Sequence, residues 1–213
     1  LAIRVAVTVA GDAIEIDFDG TAQAAAGNVN APIGVTRAAC TFAVKVALGA
    51  DVPVNAGLYE AVSIKTPAGC LVDARVPSAV VAGNVETSQR IADTVLLALS
   101  QATAVSAQGQ GTMNNVVIGS SDWTYYETLG GGQGASDRGD GPSGVHVGMS
   151  NTLNTPVEAL ELELPLRVER YELLEGSGGQ GRHRGGDGLV RSLRVLEPAT
   201  LSLLADRRRH APL

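Results

Sequence analysis

Three glycine-dense segments decide how this chain is read. They are Gly130-Gly131-Gly132-Gln133-Gly134, Gly139-Asp140-Gly141-Pro142-Ser143-Gly144 and Gly176-Ser177-Gly178-Gly179-Gln180-Gly181, with Arg184-Gly185-Gly186 just beyond. All lie between Trp123 and Arg194, separated by runs that read as strands. Glycine reaches backbone conformations closed to other residues and lets backbones approach closely. Such segments serve either as tight turns in a β-rich fold or as loops that turn their amides toward a ligand. For the second use the surroundings offer Glu127, Asp140, His146, Asn151, Asn154, Glu158, His183 and Arg184.

Upstream of this stretch the periodicity is mixed. Leu1, Ile3, Val5, Val7 and Val9 alternate, Gly11-Asp12 interrupts, and Ile14, Ile16 and Phe18 resume. That pattern predicts a β-hairpin with one buried face. Glu15, Asp17 and Asp19 fall on the other face as a solvated row rather than as metal ligands. A polar loop over 20–34 contains Asn28-Val29-Asn30, residues that close Asx turns or line a polar pocket. Val35, Ala38, Ala39, Phe42, Ala43 and Val46 then recur at helical spacing up to Gly49. After a Pro/Gly-bearing connection over 51–59, Ala61–Ile64 and Leu71–Val76 read as short strands. Asn84 is placed as the N-cap of a second helix bearing Ile91, Ala92, Val95, Leu96 and Leu99.

Downstream, Asn115–Ile118 and Trp123–Leu129 predict a strand pair, and Leu189–Leu196 and Thr200–Leu204 two further strands. Val157 to Leu174 alternates throughout, with Leu160, Leu162, Leu164, Leu166 and Val168 on one face. In that register Glu158 and Glu161 fall on opposite faces. Glu158 is the more interesting, since it follows the polar run Asn151-Thr152-Leu153-Asn154-Thr155-Pro156. The fold class is therefore α+β, mostly antiparallel. Two main helices lie in an α+β part over 1–111, and a strand- and glycine-loop-rich part covers 112–213.

Composition narrows the function. The 213 residues carry a net charge of −6, and the basic clusters Arg182/Arg184 and Arg207-Arg208-Arg209 are local. Both features argue against a nucleic-acid partner. No apolar run is long enough for a membrane span. Two cysteines, Cys40 and Cys70, without CxxC spacing point to reduced thiols in a cytoplasmic protein. The chain opens on Leu1 inside a strand pattern and its last residues, Arg209 to Leu213, add no closing element, which reads as a piece of a longer polypeptide.

Standard chemistry is largely excluded. The segment over 176–181 matches G-x-G-x-x-G, but Arg182-His183-Arg184-Gly185-Gly186 cannot open the helix that a dinucleotide site needs. No Gly-Lys pair supplies a P-loop and no G-x-S-x-G a nucleophile elbow. The histidines His146, His183 and His210 show no metal-ligand spacing.

Several longer runs resemble the hydantoinase B/oxoprolinase family. They are GNVETSQRIADTVLLAL (83–99), YYETLGGGQGA (125–135), DGPSGVHVGMSNTLNTPVEALE (140–161), GSGGQGRHRGGDGLVR (176–191) and DRRRHAP (206–212). The Asp-Phe-Asp-Gly-Thr run at 17–21 is similar as well. The resemblance is to the C-terminal portion of the family's members.

It implies part of an ATP-dependent enzyme that opens a lactam or hydantoin ring, as 5-oxoprolinase and N-methylhydantoinase do. The implied partner is a hydantoinase A-like protein of actin-like fold, in a hetero-oligomer. ATP belongs to that partner and a divalent metal to the family's N-terminal part, leaving no cofactor for these residues. Glu127, His146 and Glu158 become the candidates for the base. Gly131, Gly132, Gly134, Asn151, Asn154 and Arg184 become those for substrate binding. Two alternatives stand beside this reading: a segment of an ATP-dependent ketone carboxylase, and a non-catalytic scaffold that docks the partner.

Overall fold

A computed structural model describes residues 1–49 and 51–212; Leu213, read above as part of the unclosed end, lies outside them. The architecture is α+β, with two compact units, Leu1–Val105 and Ser106–Leu213.

In the first unit β1 (Ala6–Ala10) pairs antiparallel with β2 (Ala13–Asp17), and β3 (Val62–Lys65) joins β2 in parallel. The hairpin is shorter than the alternation from Leu1 suggests. The Thr21 hydroxyl accepts from Arg4 N at 3.1 Å and donates to Arg4 O at 3.0 Å, taking the groups a longer ladder would use. Ile16 and Phe18 are fully buried, as the pattern requires. On the opposite face Glu15 meets Lys65 at 2.8 Å, both in contact with solvent.

Helices α1 (Ile33–Leu48) and α3 (Ser88–Leu99) pack on one another. The buried side of α1 is Thr36, Ala39, Cys40, Thr41, Ala43 and Val44, mostly small residues that let two helices approach. Burial pushes the Cys40 thiol up to about 12. Because the thiolate is the reactive form, Cys40 should resist iodoacetamide at pH 8 in the native chain and label only on unfolding. Mass spectrometry with and without denaturant checks this.

Three details depart from the sequence reading. A short α2 (Ala56–Ala61) occupies part of the connection, capped by Asn55, whose Oδ1 accepts from Gly57 N at 3.0 Å. Leu71–Val76 is not a strand, because loops and side chains take its backbone. Leu71 N donates to Ala22 O at 2.8 Å, and Val72 O accepts from the Thr36 hydroxyl at 2.6 Å. Asn84 is not a cap: α3 is entered through a π-helical turn over Gly83–Thr87. That turn seats Gly83 so tightly that a Cβ there would lie 1.9 Å from the Asn30 carbonyl oxygen.

Asn30 is fully buried and its amide is used throughout. It accepts from Ala25 N at 2.7 Å and donates to the carbonyls of Ala25, Gly27 and Ala79 at 2.8–3.0 Å. This asparagine closes loops instead of lining a pocket.

In the second unit β5 (Thr124–Thr128), β4 (Asn115–Gly119) and β8 (Thr200–Leu204) form one antiparallel sheet in that order. A two-stranded antiparallel sheet joins β6 (Leu166–Leu174) and β7 (Gly188–Val195). The long strand expected over 157–174 is corrected here. Val157–Glu163 is helix α4, and only Leu166–Leu174 is extended. Leu160 is buried while Leu162 stands 86% exposed, so the leucines do not share one face. A helix turns Leu160 and Leu164 inward together, one turn apart. Pro165 then disfavours helical geometry at Leu164 and starts the strand. Glu158 and Glu161, three apart on this helix, lie on one side of it and not on opposite faces. Ile118, Tyr125, Leu160 and Leu166 form the core of this unit.

Candidate active site

The glycine-dense segments lie side by side and bond to each other through backbone groups, outside the named strands. Gly131 and Val145 exchange two bonds of 2.9 and 2.7 Å. Gln133 N donates to Pro142 O at 3.1 Å, and Gln133 O accepts from Gly186 N at 2.8 Å. Gln110 N reaches Gly132 O at 3.0 Å, and Gly141 N reaches Arg184 O at 2.8 Å. Their spacing leaves no volume for side chains. An added Cβ on Gly132 would sit 1.8 Å from Gly186 O, and one on Gly134 would sit 2.0 Å from Ala107 O. These glycines are used first for close backbone approach.

The assembled segments wall an open cavity of about 880 Å³. Gly131, Gly132 and Gly134 line it, with Val116, Leu189 and Leu203 behind. Its size suits a small molecule. Asn151, Asn154, Arg184, Glu127, His146 and Glu158 are not among its lining residues. Arg184 instead supports the loops, its N–H donating to Asp140 Oδ1 at 2.8 Å. Nearby, Gly178 N donates to Asp187 Oδ1 at 2.8 Å. That bond, foremost, holds the Asp187 carboxyl below its ordinary value.

Glu127, on β5, is buried and its oxygens are occupied. Arg191 Nη1 approaches Oε2 at 2.8 Å, with the two side chains 2% and 4% exposed. The Tyr125 hydroxyl donates to the same oxygen, and Thr155 N donates to Oε1 at 2.8 Å. Arg191 lies with its guanidinium carbon 4.7 Å from the centre of the Tyr171 ring, a cation–π arrangement. Burial, and then the bond to Glu127, pushes the Tyr125 phenol upward, and burial likewise raises Tyr171. Neither Arg191 nor its tyrosines are among the site candidates that the sequence suggests. A signal is present all the same: Arg191 interrupts the alternation Leu189, Leu193 on the inward side of a strand.

His146 is joined to residues four and eight positions further on. Its Nδ1 is 3.3 Å from the Ser150 hydroxyl and its Nε2 3.4 Å from Asn154 Oδ1. Ser150 donates to Val147 O at 3.0 Å. Asn154 Oδ1 can only accept, so its contact requires Nε2–H, which leaves Nδ1, on the Ser150 side, as the lone-pair nitrogen of the neutral ring. Asn151 is exposed on the same loop, and Glu158 is exposed in the first turn of α4. Thus His146 and Asn154 meet, Glu127 holds the loop's far end at Thr155, and the cavity glycines form a separate group. Among the described residues no three His, Cys, Asp or Glu side chains converge as a metal site, so no ligand set is assigned to them. No described helix is long and apolar enough to cross a membrane.

An α+β chain organised on interlocked glycine segments, with a buried ion pair behind them, defines a class. The chain belongs to the hydantoinase B/oxoprolinase family, whose model matches residues 1–213. It is 43% identical over 212 residues to 5-oxoprolinase 1 of Arabidopsis thaliana, covering 99% of this chain and 16% of that protein. It is 37% identical over 196 residues to a 5-oxoprolinase of Dictyostelium discoideum, covering 92% of this chain and 15% of the other. Its structure is similar to the ATP-dependent caprolactamase of Pseudomonas jessenii, with a TM-score of 0.83, 26% identity, and coverage of 93% and 36%. It also shares the fold of an acetone carboxylase, at a TM-score of 0.77, 18% identity, and coverage of 95% and 29%. The chain thus spans about a sixth of the two 5-oxoprolinases and well under half of the two solved chains.

Proposed function

We propose that this chain is part of an ATP-dependent cyclic-amide hydrolase of the 5-oxoprolinase type, opening a lactam ring after activation by a hydantoinase A-like partner. The observation that carries this reading is the 43% identity to a 5-oxoprolinase over nearly every residue. The likeness to a caprolactamase structure supports the same bond class.

The chemistry is consistent with that division of labour. A lactam carbonyl is a poor electrophile, and transfer of a phosphoryl group to its oxygen gives carbon a good leaving group. Water then needs a base and the developing oxyanion needs donors. Among the candidates, His146 fits the base: Nε2–H donates to Asn154 Oδ1 and fixes the ring, and Nδ1 keeps the lone pair. Glu158, exposed at the head of α4, is the second candidate. Glu127, approached by three donors, fits a positioning role: it fixes Thr155 and so the loop that carries Asn154. The N–H groups of Gly132 and Gly134 are the proposed donors, Gly131 holding the wall through its bond to Val145 O, with Asn151 and Arg184 in supporting places. ATP is assigned to the partner, in a cytoplasmic hetero-oligomer.

The test is ATP-dependent formation of glutamate from 5-oxoproline by the whole protein with its A-type partner. Hydantoin and caprolactam serve as competing rings, and carboxylation of acetone as the other reaction. His146→Gln is expected to lower turnover by about 100-fold with Thr155, Glu127 and the fold intact. Acetone carboxylation without ring opening would give the reaction to the carboxylase reading. Full turnover in the His146→Gln protein would leave these residues a scaffold.

A further inference from the structure

The cavity walled by the glycine segments reverses the charge balance of the chain. The protein carries a net −6, yet among the described residues no aspartate or glutamate lines this cavity. Its ionisable lining groups are His183 and Arg208. The rest of the polar lining is neutral: backbone of the glycine segments, Ser177, and side-chain amides such as Gln133 and Gln180. His183 is paired with a carboxylate just outside the lining, its Nδ1 3.5 Å from Asp140 Oδ1, so the positive sign of this concave, apolar-backed wall rests on Arg208.

Arg208 stands in this wall because of the turn that carries it. Arg207 has φ 63°, a left-handed conformation uncommon for any residue other than glycine. Such conformations persist only where surrounding contacts hold them. Here Asp206 N donates to the Thr112 hydroxyl at 3.0 Å, and Arg207 Nη2 donates to Gln108 Oε1 at 2.9 Å. Gln108 itself lines the cavity. The turn therefore sends Arg207 to brace a wall residue while Arg208 lines the cavity. This gives the tri-arginine cluster at 207–209 a use that its size denies it as a nucleic-acid surface.

We propose that this cavity binds a small molecule carrying an oxyanion group, carboxylate or phosphate, on a compact apolar body, with Arg208 as the anion's partner. The choice of ring rests on the lactam reading above. Within it, the cavity favours a lactam that bears a carboxylate, as 5-oxoproline does, over a neutral one. The anion site itself does not depend on that choice.

The experiment is calorimetric titration of the full chain, without ATP or partner, with three probes: 5-oxoproline, the same ring lacking its carboxylate (2-pyrrolidinone), and inorganic phosphate. 5-Oxoproline is expected to bind at least about tenfold more tightly than 2-pyrrolidinone, a factor set by one charge-assisted contact. Arg208→Gln should remove about that factor and Arg208→Lys should keep part of it. Arg208 is exposed, and an unchanged melting temperature shows that the variants fold.

Phosphate binding lost in Arg208→Gln, with no binding of 5-oxoproline, supports the site and gives it to a phosphate-bearing ligand. Equal binding of 5-oxoproline and 2-pyrrolidinone overturns the proposal. So does anion binding untouched by Arg208→Gln, or no anion binding at all. Since binding is read without turnover, Arg208-dependent binding in a protein that opens no ring would sink the hydrolase reading alone. Ring opening without it would sink the anion site alone.

Discussion

Replacing Arg191 by methionine is expected to destabilise the unit over 106–213 by about 3–5 kcal/mol, a large share of a typical domain's stability. Methionine keeps much of the apolar stem but removes the guanidinium 2.8 Å from Glu127 Oε2. The carboxylate then remains in a site that is closed to water, with only the Tyr125 hydroxyl and Thr155 N to balance it. Burying an unpaired charge costs far more than losing a contact.

The pair as such is worth less than either loss, because both ions were desolvated to form it. A double variant, Glu127→Gln with Arg191→Met, should therefore recover most of the stability. Glutamine Oε1 can still accept from Thr155 N, and no charge is left. Urea unfolding of the two single variants and the double one gives the coupling energy directly. If Arg191→Met costs less than about 1 kcal/mol, the pair is wetter than its exposure implies and the anchor role given to Glu127 fails.

The same network shows what the sequence could and could not disclose. The strands carrying Tyr125, Glu127 and Arg191, β5 and β7, are legible from their aromatic, β-branched and leucine-rich runs, although of the two only β5 shows a two-residue period of burial. Their pairing is not. That Glu127 on β5 would meet Arg191 on β7 depends on how two sheets pack, which no local period encodes. Helix α4 escaped for a related reason. Leu160, Leu162, Leu164 and Leu166 alternate, yet burial of Leu160 and Leu166 with Leu162 in solvent follows from the helix and from Pro165, not from alternation.

Helices α1 and α3 of the first unit are legible because their small and aliphatic residues recur at helical spacing, whereas the six-residue α2 is too short to show a period. The π-helical turn before α3 was missed, since it depends on Gly83 lying against the Asn30 carbonyl. At the site, the glycine segments announced themselves by composition. Composition does not decide whether they face a ligand or one another, and most of them face one another.

Gly132 gives that arrangement its sharpest test. A Cβ added there would lie 1.8 Å from the carbonyl oxygen of Gly186 and 2.5 Å from its carbon. Both are backbone atoms, so no side chain can turn aside. Gly186 is itself fixed, its N–H donating to Gln133 O at 2.8 Å and its own Cβ position lying 2.0 Å from Pro142 O. Relief must come from parting whole segments, which breaks the bonds from Gln110 N to Gly132 O and from Gly186 N to Gln133 O.

Gly132→Ala is accordingly expected to cost about 3 kcal/mol or more, at the upper end for overpacking. It should also open the cavity wall. Gly139→Ala is the matched control: it lies in the same stretch, but nothing stands within 4 Å of its Cβ position. That change should stay within about 0.5 kcal/mol of the parent. Thermal and urea unfolding of the two variants decide between the two uses of glycine. A large loss at Gly132 beside a silent Gly139 means that close packing selects these residues and that the cavity is a consequence of it. Equal tolerance at both would mean that the segments have room to part, and that the wall lined by Gly131, Gly132 and Gly134 is not held by their contact.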